Sequence, residues 1–344
     1  MKLGNLFCFS LKSVTAIVLV LLPWASSCVF AQGSQFQIGE GVAKILAISP
    51  HGELVAIDAF DFKNAEKKII LFEMKTQKSI AEFKDGWGPT IQGLTFSSDG
   101  KYLLSVASNA LNQAEPIAIV KFWDLSTGKI ARTISAKGLP LLLSDKAVLT
   151  CPSETQRDTA DVFDLQTGNR IVSLKAHSRI DQVASSEDGK YLATVEREGT
   201  VRVWEFPAGK EVFSVGNKVR PNRIMFSPAE HSLAVVKVPG LTFFDLRTGK
   251  SIGGNGFFPA TAISMDGKLM ALRGEVMSLK KQRFTRHPDA VHVLSSAKNE
   301  VIASFAVDAK WQSSVIRFSP DGRWLLATGG QGILRLWDVS KLDP

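Results

Sequence analysis

Cysteine is scarce. There are three in 344 residues, and two of them, Cys8 and Cys28, lie in the first thirty. That excludes a disulfide framework for the rest of the chain, so its stability has to come from an apolar core. Histidine is nearly as rare. The five residues, at 51, 177, 231, 287 and 292, are too scattered to indicate a histidine metal site. There is no Gly-x-Ser-x-Gly elbow, no Cys-x-x-Cys, no His-Glu-x-x-His and no glycine-rich phosphate loop. Enzyme chemistry therefore has no local signature, and neither a catalytic residue nor a cofactor or metal is expected. Cys151 follows the apolar stretch "KAVLT" with no histidine near it in sequence, which reads as a buried thiol.

Long hydrophobic runs are also missing, with one exception at the N-terminus. Lys2 and Lys12 precede "VTAIVLVLL", Val14 to Leu22, which Pro23 ends. "VFAQ" then places Val29 and Ala31 at −3 and −1 of a cut before Gln32. This is the layout of a secretory signal peptide, and the run is about half the length of a spanning helix. Two other readings stay open: an uncleaved anchor, and a loose resemblance of "ASSC" to a bacterial lipobox, with Cys28 lipidated and the membrane reached only that way. The expectation is a signal peptide over residues 1–31, a single domain over 32–344, and a protein that is exported, either periplasmic or secreted. The net charge of +8 is mild for this length and forms no clustered basic stripe. Nucleic acid is therefore not an expected partner, and acidic partners are only weakly favoured.

What the chain does have is repetition. A Ser-x-x-Gly phrase appears at Ser49, Ser97, Ser186, Ser264 and Ser319, with degenerate copies at Ser144 and Ser227. Between these copies stands a second phrase, an alternating apolar strand ending in a large side chain. Its key positions are Phe72, Trp123, Phe163, Trp204, Phe244, Leu294 and Trp337. Asp-Gly and Thr-Gly pairs suit hairpin turns because glycine adopts positive φ without steric cost. Each unit thus predicts four strands, a to d, and no segment after residue 31 carries a helical stripe. One sheet of about 45 residues cannot bury both of its faces. Seven stacked radially can, which gives an all-β, seven-bladed β-propeller of four-stranded antiparallel sheets. The seventh unit, "LRLWDVSKLDP", has no strand d of its own. "SQFQIG", Ser34 to Gly39, is a spare strand that would complete it and remove two open sheet edges.

The phrases "VKFWD", "VRVWE" and "LRLWD", with "SPDG" upstream of the last, resemble the WD40 repeat family over about residues 34–344. The resemblance is strongest in the second, fourth and seventh units. The Gly-His pair usual before strand a survives only as "KAHSR" around His177, and Glu198 and Gln331 stand where Asp is usual before strand c. The family's His-Asp network is thus expected to be missing, leaving blade stability to apolar packing. The resemblance implies a monomeric, non-enzymatic scaffold that binds a protein partner. A lactonase-like hydrolase with its site at the central channel and a glycan-binding module remain open.

The a–b and c–d turns are uniformly short, whereas the b–c loops vary, and irregular loops on a rigid scaffold are where binding concentrates. The face carrying the b–c and d–a loops is therefore the expected binding face. Two groups of residues stand out there. Lys280, Lys281, Arg283, Arg286 and His287 form a basic cluster in the long sixth b–c loop, which reads as a docking patch or as a solvated hairpin extension. Trp87, Arg220, Phe257 and Trp311 lie in d–a connections and would converge at the channel mouth, as binding anchors or as caps on blade packing.

Overall fold

The computed structural model describes residues 33–38, 46–61, 66–84, 91–108, 117–142, 144–151, 158–186, 188–216, 220–227, 231–237, 240–255, 262–273, 276–278, 283–285, 290–298, 300–307, 313–329 and 332–344. They form seven four-stranded antiparallel sheets. Blade one holds β2 (Leu46–Ile48), β3 (Leu54–Asp61), β4 (Glu66–Glu73) and β5 (Lys78–Lys84). Blade two holds β6 (Ile91–Phe96), β7 (Tyr102–Ser108), β8 (Ile117–Asp124) and β9 (Ile130–Lys137). Blade three holds β10 (Leu139–Leu142), β11 (Ala147–Cys151), β12 (Thr159–Asp164) and β13 (Arg170–Lys175). Blade four holds β14 (Ile180–Ser185), β15 (Tyr191–Glu196), β16 (Val201–Glu205) and β17 (Lys210–Val215). Blade five holds β18 (Arg223–Ser227), β19 (Ser232–Lys237), β20 (Gly240–Asp245) and β21 (Ser251–Asn255). Blade six holds β22 (Ala262–Ile263), β23 (Leu269–Arg273), β26 (Ala290–Ser295) and β27 (Glu300–Ala306), and between its second and third strands it carries a separate hairpin, β24 (Val276–Ser278) with β25 (Arg283–Thr285). Blade seven holds β28 (Ser313–Phe318), β29 (Trp324–Gly329) and β30 (Ile333–Asp338), and its fourth strand is β1 (Ser34–Gln37).

The core lies between blades, as the period-two pattern requires: successive side chains of a strand point to opposite faces, so each blade packs on both neighbours. Leu71 and Phe83 of blade one meet Leu103 and Trp123 of blade two. Leu104 and Val120 of blade two meet Val148 and Leu165 of blade three, and Leu149 and Leu174 meet Ile180 and Trp204 of blade four. The series continues from blade four to five, five to six and six to seven. It returns to its start where Leu326, Leu334 and Leu336 of blade seven pack on Val55, Ile57 and Phe72 of blade one. The large residue of each repeated phrase fills these gaps. Phe83 lies 5.5 Å from Trp123, and Phe305 stacks on Trp337 at 5.2 Å.

The ring closes through β1. It runs antiparallel to β30, with Ser34 opposite Leu336 and Gln37 opposite Ile333, and the Ile38 N–H donates to the Gly332 carbonyl at 2.7 Å. Phe36 packs 5.0 Å from Phe72 of blade one, and Ile38 is buried in the same cluster. Gly33 passes so close to the Trp337 ring and the Leu336 carbonyl that a Cβ there would clash with the ring and lie 2.7 Å from the carbonyl oxygen.

The turn residues are bonded among themselves. In the a–b turn of blade two, the Ser97 hydroxyl donates to Asp99 at 2.6 Å and accepts from the Tyr102 N–H at 2.9 Å. Ser186, Ser264 and Ser319 repeat this arrangement with Asp188, Asp266 and Asp321. In the c–d turns, Asp124 accepts from the Ser126 and Thr127 N–H groups, Asp164 from Gln166 and Thr167, and Asp245 from Arg247 and Thr248. The hydroxyls of Ser126 and Thr248, which also donate to Asp124 and Asp245, hold those carboxyls below the usual range together with the N–H groups. One residue before each c–d turn's acid, or at the matching position in other blades, the ladder slips by a residue: the bulge falls at Phe72, Trp123, Phe163, Trp204, Phe244 and Leu294. The β1–β30 pairing has no such slip in its register, because no hairpin turn joins those two strands.

The first unit breaks the turn rule. Where Gly128, Gly168 and Gly249 sit at positive φ, Gln77 occupies the same place at φ 57°. A side chain there costs about 1 kcal/mol. Gln77→Gly is therefore expected to stabilise the fold by about 0.5–1 kcal/mol, read as a higher denaturant midpoint with an unchanged slope. The fifth unit departs differently. Its "SPAE" lacks the Asp, and the Ser227 hydroxyl is buried with no hydrogen-bond partner among the described residues.

Cys151 ends β11 and is buried at 1% exposure, so the folded protein is expected to react slowly with a thiol reagent and to label quickly once denatured. Fast labelling of the native protein would contradict this placement.

Candidate functional site at the central channel and the loop-bearing end

The first strand of each blade lies nearest the axis of the ring. Strands β14, β18, β22 and β28 of blades four to seven border a cavity of about 600 Å³. Its wall is mixed, with Val183, Met225, Phe226, Ile263 and Phe318 along it beside the polar Arg223, Arg317 and Asp181. Asp181 stands toward the end of the ring where the d–a connections enter. Arg179 lies 2.9 Å from one of its oxygens and Arg220 2.8 Å from the other. Further in, Arg317 donates to the Ile316 carbonyl at 3.1 Å, and no described carboxylate pairs with it. Burial, together with the like charge of Arg223, pushes its pKa down to about 9. Burial also lowers that of Arg223.

A charge held in this way destabilises the fold, and removing it helps. Arg317→Met is expected to raise stability by about 1–3 kcal/mol at pH 7 in a chloride buffer. The folded pKa lies below the unfolded value, so the penalty is fully present below pH 9. As the pH rises above 9, the folded wild type sheds the proton while the unfolded chain keeps it, and the advantage of the variant shrinks. Paired denaturation curves at pH 7 and above pH 9 test this sign.

A buried arginine in blade four is fully compensated. Arg202 on β16 is bonded to Glu196 at the end of β15 and lies 2.8 Å from Glu211 on β17. Burial lowers the pKa of this guanidinium, but the bonds to the two carboxylates outweigh that and hold it above the ordinary value. This ion triad occupies blade four, where the His-Asp network was expected to be missing. His177 stands exposed, and the buried acid is Glu196, not Glu198, which is exposed. The Trp204 indole N–H donates to the Thr194 hydroxyl at 3.1 Å, and Trp123 likewise to Ser105 at 2.9 Å.

Of the residues singled out from the sequence, Arg220 is described, and it lies at the channel mouth against Asp181. Arg283 lies in β25, opposite Ser278. Trp87, Phe257, Trp311, Lys280, Lys281, Arg286 and His287 lie outside the described residues, as do residues 1–31 with Cys28. Sequence reading passed over Arg223 and Arg317. The available signal was an arginine within "RIMFS" and "VIRFS", on an innermost strand whose counterpart in blade two, "IQGLTF", carries no charge. Among the described residues, no group of three His, Cys, Asp or Glu side chains could hold a metal ion.

Residues 168–205 and 280–338 match the family described as WD domain, G-beta repeat. The first matched stretch runs from the c–d turn of blade three through β16, so the sequence repeat supplies the last strand of one blade and the first three of the next. This offset ties neighbouring blades together covalently. The chain is 30% identical over 183 residues to "Telomerase protein component 1" of Rattus norvegicus, covering 52% of this chain and 6% of that protein. It is 26% identical over 152 residues to "U3 small nucleolar RNA-associated protein 21 homolog" of Schizosaccharomyces pombe, covering 41% and 16%. It is 21% identical over 320 residues to "Nuclear distribution protein nudF" of Aspergillus niger, covering 77% and 66%. The chain thus spans less than two thirds of the length of each.

These relatives overturn the expectation of an exported, secreted or periplasmic protein, since they are named for telomerase, a small nucleolar RNA and nuclear distribution, which are matters of the cell interior. The physical reason for the misreading is that a short apolar run such as Val14–Leu22 is a weak address. A run of that length is equally what a buried core segment presents. The propeller itself makes no demand for an oxidising compartment, because Cys151 is buried as a free thiol.

Proposed function

We propose that this chain is a non-enzymatic protein-interaction scaffold that takes its partner on the end of the ring carrying the b–c and d–a loops. One observation carries this reading: the two ends of the ring differ chemically. At the end of the a–b and c–d turns, most of the described Ser, Thr and Asp side chains are engaged by bonds within their own turns. At the other end the connections vary widely in length, from the single residue between β9 and β10 to the segment between β23 and β26, which carries its own hairpin, β24–β25. The segment around that hairpin holds Lys280, Lys281, Arg283, Arg286 and His287, a basic set suited to an acidic partner surface. Trp87, Arg220, Phe257 and Trp311, in the d–a connections, are the aromatic and arginine anchors of the same surface. The unit that does this is a single monomeric domain over residues 32–344.

The test is affinity capture with the wild type and with a variant in which Lys280, Lys281 and Arg283 are changed to Glu. A specific partner retained by the wild type and lost by a variant of equal thermal stability supports the reading. The same set captured by both proteins, or none by either, contradicts it.

A further inference from the structure

Seven blades leave an opening at their axis, and the strands beside it present both apolar and polar side chains. Two of them carry arginine. Arg223 opens β18, Arg317 is the penultimate residue of β28, and both border the same cavity of about 600 Å³. They are near enough for the charge of one to disfavour that of the other. A guanidinium presents five N–H donors in a planar fork that matches carboxylate and phosphate oxygens. Arg317 places one of these hydrogen bonds on the Ile316 carbonyl and, among the described residues, makes no other. Asp181 borders the cavity too, but Arg179 and Arg220 already engage its two oxygens. The rest of the wall offers Met225, Phe226, Met265 and Phe318.

Like charges that border one cavity disfavour each other, and a group of opposite charge entering it offsets that repulsion. We infer that the central channel binds a small organic oxyanion, its carboxylate or phosphate head between Arg223 and Arg317 and its apolar body against Met225, Phe226 and Phe318. The cavity lies within the roughly 300–1,000 Å³ typical of small-molecule sites. Such a ligand would reverse the repulsion between the arginines, so binding would both neutralise and stabilise the ring. The inference goes beyond the scaffold reading and does not depend on it, because it concerns the channel and not the loops.

The experiment is thermal unfolding and titration calorimetry of the full chain with phenyl phosphate, benzoate and inorganic phosphate, at constant ionic strength set with chloride. Phenyl phosphate or benzoate is expected to raise the unfolding midpoint saturably and to bind more tightly than inorganic phosphate. Binding is expected to weaken by at least about tenfold in Arg317→Met and in Arg317→Lys, the second of which keeps the charge and loses the fork. Arg170→Met, at an exposed site on β13, is expected to leave it unchanged. The absence of a saturable rise with either organic probe would overturn the inference. So would binding no tighter than that of inorganic phosphate, or binding that survives in both Arg317 variants. Because Arg317→Lys is isocharged, it keeps the result readable if the methionine variant folds poorly.

Discussion

Removal of residues 32–40 is expected to destabilise the chain by about 3–5 kcal/mol and to broaden its unfolding. The estimate starts from what β1 buries. Ile38 is 6% exposed in the cluster between blades seven and one, and Phe36 is half-buried against Phe72. Fully burying one such side chain is worth about 1.5–3 kcal/mol. The deletion also strips the partner from β30, leaving a row of unpaired backbone groups along Ile333–Asp338. Blades seven and one would then share less surface, and the ring could open at that seam. Scanning calorimetry should show a midpoint several degrees lower and a transition that no longer behaves as one cooperative unit. Aggregation through the exposed edge is the expected side effect, and light scattering would detect it. An unchanged midpoint would contradict the closure of the ring by β1.

Arg202→Met is expected to cost about 3–5 kcal/mol, because it leaves Glu196 buried at 2% exposure without its cation. Neutralising the acid in the same molecule should return much of the loss. The double variant Glu196→Gln with Arg202→Met is therefore expected to be more stable than Arg202→Met alone, a coupling that a double-mutant cycle measures directly. Equal stability of the two would mean that Arg202 acts through packing alone. The contrast with Arg317 is instructive. Both arginines lie on strands, Arg202 buried and Arg317 half-buried at the cavity wall. Arg202 has two carboxylates and its removal harms, whereas Arg317 has the Ile316 carbonyl and a neighbouring arginine, and its removal helps.

Much of the fold was legible because it is written repeatedly. Each Ser-x-Asp-Gly phrase marks the turn between the first two strands of a blade. Each aromatic at Phe72, Trp123 or Trp204 marks the gap between one blade and the next. Even the displaced strand at Ser34 was readable, since the last unit ended one strand short. The recurring bulge before the c–d turns was not, because it is a backbone slip that leaves the apolar alternation visible. The Glu196–Arg202–Glu211 triad was missed because its members stand on three different strands and come together only when the sheet forms. The channel arginines were missed for a similar reason: Arg223 and Arg317 are ninety-four residues apart in sequence and share one cavity only after the ring closes. The N-terminal run misled in the opposite direction, as a local pattern taken for an address that the relatives do not support.

Disulfide trapping across the closing seam tests the architecture most directly. The Ile38 N–H bonds to the Gly332 carbonyl, and hydrogen-bonded pairs alternate along an antiparallel ladder. Gln35 and Arg335 are therefore a non-hydrogen-bonded pair, with Cα atoms about 4.5 Å apart, within reach of a disulfide. Gln35→Cys with Arg335→Cys, in a chain whose Cys8 and Cys28 are changed to Ser, should oxidise rapidly to an intramolecular bond. Peptide mapping should find it, and the unfolding midpoint should rise. Failure to form that bond, or its formation only between two molecules, would contradict a seven-bladed ring closed by its own N-terminal strand.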